Sequence, residues 1–236
     1  MSKLVMRAYW GVYDSSHRIT HRKKRVDKNI LRILKSNFKY PFVTYVFGKD
    51  NFDYLKSLGF ECELIHPEPT MFDAIKYQYR HKLEALKYAF EVDKCTELVH
   101  LDWDCVPQKN IDNNFWLRLE KKEYFQANLI QYHRIKAPWR GEMDTRKIPN
   151  GGFLYISNPE TPKDLIKMWE IKKGPSAEPA MARYCDKITD GWKGKDVYWD
   201  LFEPEVVNLN RCSVFLGDPK NQLKDVYFIH YQGELN

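Results

Sequence analysis

Four strand-type apolar runs, separated by three helix-type stripes, fill the first hundred residues of this chain. Residues 3–9 read as a strand ended by Gly11, and residues 26–37 carry a helical stripe at Ile30, Leu31, Ile33 and Leu34. Pro41 opens a second strand, PFVTYVFG, closed by Gly48. Asn51 is placed to cap a short helix, FDYLKSL, with Gly59 following as a C-terminal cap. ECELIH is a third strand, closed by Pro67 and Pro69. Asp73 is placed to cap a long helix over about residues 74–92, with Leu83, Leu86, Tyr88 and Phe90 as core candidates. TELVHLD is the fourth strand. Strands alternating with helices through short turns predict an α/β protein with a mostly parallel, Rossmann-like central sheet flanked by helices.

The second half is less regular and predicts a smaller mixed portion. Residues 112–121 look helical, residues 124–130 look like a strand, and residues 131–149 form a polar, basic, turn-rich loop. A loop of that length in a compact domain points to function. PNGGFLYISN reads as a strand entered through two glycines, residues 162–171 as a helix, and helical patterns continue to about residue 202. VVNL, SVFLG and DVYFIHY close the chain as short strands. No repeat or linker interrupts the 236 residues, so a single domain is expected.

Composition excludes several classes. Aromatics make up 15% of residues, which a disordered chain would not carry. A charged fraction of 30%, with no long apolar run, predicts no transmembrane segment. Cys62, Cys95, Cys105, Cys185 and Cys212 are scattered and odd in number, which points to a reducing, cytoplasmic setting. The net charge is +6, and the one dense basic run, HRKKR at residues 21–25, reads as a solvated helix approach. A nucleic-acid-binding module is one alternative for such a chain, but the modest charge argues against a nucleic-acid partner. Phosphate-bearing small molecules suit a cationic protein equally well.

The richest stretch is LVHLDWDCVP. Ligands of open α/β sheets sit beyond the carboxyl ends of the strands. If the chain stays extended, Asp102 and Asp104 point to one side and Trp103 to the other. Two hard carboxylates suit Mn²⁺ or Mg²⁺, which leave positions for phosphate oxygens. The same residues resemble the D-x-D-x-T/V pattern of haloacid-dehalogenase-like phosphatases, with Asp102 as the nucleophile that takes up phosphate. That family places its pattern on the first core strand, and Gly217, Asp218 and Asp225 do not reproduce its later acidic spacing.

The order of features also resembles the GT-A glycosyltransferases, which move a sugar from a nucleotide-diphosphate sugar to a glycan or other hydroxyl acceptor. The resemblance implies a divalent-metal site at Asp102 and Asp104, and a donor contact from Arg80 or Lys82 on the preceding helix. It implies an acceptor-side strand at Asn150, Gly151 and Gly152, and a third metal ligand at His230 in FIHYQG. The segment DGWKGKD resembles the family's catalytic segment, making Asp196 the candidate base, Asp200 the second candidate and Trp192 an acceptor platform. Tyr9, Tyr13 and Trp103 would face the donor, with His17 or Arg18 at its diphosphate, and Arg134, Arg140 and Arg146 would close over it. Residues 1–106 would form the nucleotide-sugar half and residues 107–236 the acceptor half. On this reading the +6 charge finds its counterpart in a diphosphate with its metal. The stereochemistry, inverting or retaining, stays open.

Overall fold

The computed structural model describes residues 2–11, 18–36, 42–65, 71–107, 110–120, 126–128, 135–136, 143–144, 152–171, 180–181, 184, 209–210 and 228–230. Its main sheet is built from β1 (Lys3–Tyr9), β2 (Phe42–Phe47), β3 (Cys62–Ile65), β4 (Glu97–Leu101), β6 (Gln126–Asn128) and β9 (Phe153–Ile156), in the order β3-β2-β1-β4-β9-β6. The first four strands run parallel, and β9 runs antiparallel to both β4 and β6. The order reverses between β1 and β4, and such a switch point opens a crevice at the carboxyl edge of the sheet.

Strand alternation divides the core into layers. Met6 and Ala8 of β1, with Leu98 of β4, pack under α3 (Met71–Glu91) and α5 (Thr161–Ile171). Tyr9 and Val46 meet Ile30 and Ile33 of α1 (Arg18–Lys35) and Leu55 of α2 (Lys49–Ser57) on the other face. Val5, Val99 and Leu101 meet Phe115, Trp116 and Leu119 of α4 (Asn113–Glu120) on that same face.

Several local expectations are corrected. Helix α1 begins at Arg18, well before its apolar stripe, because Lys and Arg are good helix formers without being periodic. Gly48, not Asn51, caps α2, and the Asn51 amide instead donates back to the Phe47 carbonyl at 2.7 Å. Asp73 lies within the first turn of α3, which starts at Met71. Gly59 does follow α2 with φ +86°, the left-handed geometry glycine adopts without strain. Asp112 caps α4, accepting from the Phe115 backbone at 2.9 Å. The polar stretch 131–149 contains a two-stranded ladder of β7 (Ile135–Lys136) and β8 (Met143–Asp144). A second sheet joins β10 (Leu209–Asn210) and β11 (Phe228–His230), which fall at the expected strands VVNL and DVYFIHY, to β5 (Cys105–Pro107), which the sequence pattern does not separate from the fourth strand. Among the described residues no helix is long and apolar enough to cross a membrane.

Candidate active site

Beyond β4 the chain does not stay extended. The Cys105 amide donates to the Asp102 carbonyl at 3.0 Å, closing a turn over Trp103 and Asp104 before β5 begins. The expected i, i+2 relation between Asp102 and Asp104 is therefore replaced by a turn. Two residues before Asp102, on β4 itself, His100 brings its Nε2 to 3.7 Å from Asp102 Oδ1. Both carboxylate residues are half-buried at the switch point of the sheet.

Two motifs that are 50 residues apart in sequence meet here. The Asp102 amide donates to the Gly152 carbonyl at 2.8 Å, and the Cys105 thiol reaches the same carbonyl at 3.0 Å. Gly152, expected on the acceptor side, thus supports the backbone of the acidic turn. Burial, then Asp104 and Asp102, push the Cys105 thiol well above its ordinary value, so it stays protonated.

Charge reaches the turn from both faces. From α3, Lys82 Nζ sits 2.6 Å from Asp102 Oδ1, its side chain only 3% exposed. Arg80 is two residues earlier and so on another side of the helix. It pairs with Glu84 and Glu170 and lies over the Trp169 ring at 5.8 Å, binding α3 to α5. From the opposite face of the sheet, Arg7 is fully buried and donates from Nη2 to the Cys105 carbonyl at 2.7 Å. Its guanidinium lies 4.6 Å from the Phe42 ring centroid and 5.7 Å from that of Trp103. Burial lowers Arg7 to about 10, against the pull of Cys105, Asp102 and Asp104, so it remains a cation at neutral pH. Desolvating such a charge costs several kcal/mol. The carbonyl, the two rings and the nearby carboxylates offset that cost, each desolvated cation–π contact contributing up to about 2 kcal/mol. His100, buried and flanked by Lys82 and Arg7, is held well below its ordinary value and is neutral. Its 3.7 Å approach to Asp102 is therefore neither an ion pair nor a hydrogen bond.

Tyr9 and Trp103, both expected to face the donor, pack against each other. Tyr9 is 8% exposed and meets Trp103 edge-on, so its face belongs to the core. Trp103 packs edge-on to Phe60 as well, and its indole donates to the Ala8 carbonyl at 2.8 Å. The register of β11 against β5 sets His230 opposite Cys105, next to Asp104 in the chain. Tyr13, Asn150, Gly151, Trp192, Asp196 and Asp200 lie outside the described residues, as do His17, Arg134, Arg140 and Arg146. Among the described residues no group of three or more His, Cys, Asp or Glu is placed to hold a metal ion. The hard, partly exposed carboxylates of Asp102 and Asp104 have the donor chemistry for Mn²⁺ or Mg²⁺. Sequence reasoning missed Arg7 and His100. Their signal was a charged and a polar residue, each inside an apolar strand.

No protein-family profile matches this sequence, and no curated protein matches it. Solved structures do match in fold. One is a glycosyltransferase involved in glycosylation of the major capsid of PBCV-1, with 12% identity and a TM-score of 0.50 over 96% of this chain and 93% of that one. Another is the galactosyltransferase LgtC in complex with donor and acceptor sugar analogs, with 13% identity and a TM-score of 0.51 over 99% of this chain and 88% of that one. The fold is of the GT-A type, a mixed α/β architecture with a mostly parallel central sheet between helices.

Proposed function

We propose that this protein is a glycosyltransferase that moves a sugar from a nucleotide-diphosphate sugar to an acceptor hydroxyl. The observation that carries the reading is the turn at Asp102 and Asp104. It stands at the switch point of a GT-A-type sheet, backed by Lys82 on one face and Arg7 on the other. Residues 1–106 supply the donor half and residues 107–236 the acceptor half. Asp102 and Asp104 would hold Mn²⁺ or Mg²⁺, with His230 as a third ligand. Such an ion neutralises the diphosphate leaving group when bound.

The chain's own groups divide the remaining work. Lys82 orients Asp102 and presents a buried ammonium where the donor phosphates arrive. Arg7 and the Gly152 carbonyl hold the turn from below. Asn150 and Gly151 precede Gly152 and would meet the acceptor, with Trp192 as a platform. Asp196, or Asp200, would take the proton of the attacking hydroxyl if the reaction inverts. The scattered cysteines favour the cytoplasm as the compartment.

A thermal-shift series with nucleotide-diphosphate sugars, each with and without Mn²⁺, tests the reading. Ligand binding raises the melting temperature through linkage, so the preferred donor with metal should stabilise the fold. Stabilisation by no donor under either condition would count against it. Capture of a beryllium fluoride adduct at Asp102 would favour phosphatase chemistry instead.

A further inference from the structure

Helix α1 accounts for the net positive charge of the protein. Between Arg18 and Lys35 it holds eight Lys or Arg residues and one Asp, a formal +7. The complete chain carries +6, so everything outside this helix sums to −1.

Over residues 26–35, whose side chains are described, one side of the helix is packed and the other is exposed. Asn29, Ile30 and Ile33 are buried, the two isoleucines against Val46, Leu55 and Phe60. Lys28, Leu31, Leu34 and Lys35 are exposed. Leu31 is 54% exposed and Leu34 43%. A surface helix ordinarily reserves that side for polar residues. Tyr54 of α2 is exposed beside it, its hydroxyl 3.4 Å from Asp27. One exposed leucine is unremarkable on any protein surface. Two on a helix of charge +7 are the combination that an interfacial helix uses.

We infer that α1 docks the protein on an anionic lipid surface. Lys28 and Lys35, exposed on the same side as the leucines, meet the charged headgroups, while Leu31 and Leu34 enter the boundary with the acyl chains. Clusters of this size on an amphipathic helix bind acidic leaflets through both terms. A nucleic acid would satisfy the cations but leave the leucines without a use. This inference does not depend on the reaction the protein catalyses.

Flotation of the full chain with vesicles tests it. Phosphatidylcholine vesicles should leave the protein behind. Vesicles containing phosphatidylglycerol should carry it, with binding lost progressively as salt rises. The double variants Leu31→Ser, Leu34→Ser and Lys28→Glu, Lys35→Glu should each bind the anionic vesicles about tenfold more weakly or worse. All four positions are exposed, so the melting temperature should stay close to that of the parent. The leucine pair distinguishes lipid from nucleic acid. No binding to anionic vesicles, or unchanged binding in the leucine variant, would overturn the inference. So would tighter binding to duplex DNA or single-stranded RNA at the same salt, retained by the leucine variant.

Discussion

The ammonium of Lys82 lies 2.6 Å from Asp102 Oδ1, the lysine 3% exposed and the aspartate 34%. Helix α3 thereby places a fixed cation against a carboxylate proposed to hold a metal. Replacing it with an uncharged chain of similar length should move two affinities in opposite directions. In Lys82→Met, Mn²⁺ binding to the protein without donor should tighten about tenfold, roughly 1.4 kcal/mol, because a like charge has left the site. Nucleoside diphosphate binding should weaken over the same range. Calorimetric titrations of each ligand measure both. Parallel losses would contradict this assignment of Lys82.

Arg7 is a matter of fit as well as charge. Arg7→Ala removes a fully buried side chain, a hydrogen bond to Cys105 and two ring contacts. It should cost about 3 kcal/mol of unfolding free energy. Arg7→Met keeps much of the volume and removes the desolvated charge, so its cost should be about 1 kcal/mol. Urea unfolding curves distinguish them. Equal losses in the two variants would contradict a packing role.

His100 gives the fold a dependence on pH. Burial first, then Lys82 and Arg7, hold its folded-state value well below the ordinary 6.5. Above 6.5 the imidazole is neutral in both folded and unfolded chains. Below it the unfolded chain takes up a proton that the folded one refuses, so stability present above 6.5 is lost as the pH falls. The slope from this group should be about 1.4 kcal/mol per pH unit within that window. Melting temperatures measured from neutral pH downward should fall, and His100→Asn should remove that part of the slope. An unchanged slope in the variant would place the dependence elsewhere.

The elements with strong local signals could be read from the residues alone. The apolar run ending at Gly11 gives β1 at Lys3–Tyr9, Pro41 and Gly48 bracket β2, and Gly59 takes the left-handed geometry its place predicts. The candidate site was legible in its chemistry but not in its geometry. Asp102 and Asp104 stand out as carboxylates at a strand end, but the turn between them depends on partners far along the chain. Gly152 holds the Asp102 amide, and β11 pairs with β5. Nothing near residue 102 encodes either contact. Arg7 could not be told from any other charge inside an apolar strand, because its rings and carbonyl arrive from Phe42, Trp103 and Cys105. The excess of positive charge falls within α1, whose Lys and Arg outnumber its Asp by seven.

Binding of a nucleoside diphosphate with Mn²⁺, compared between the parent and Asp104→Asn, tests the acidic turn itself. Asp104 is chosen because Asp102→Asn would also remove the carboxylate partner of a buried lysine and cost about 2 kcal/mol of stability. In the parent, Mn²⁺ should tighten nucleotide binding tenfold or more, roughly 1.4 kcal/mol, and in Asp104→Asn that gain should disappear while the melting temperature changes little. A gain from Mn²⁺ of the same size in both proteins would contradict a metal-diphosphate site at Asp102 and Asp104.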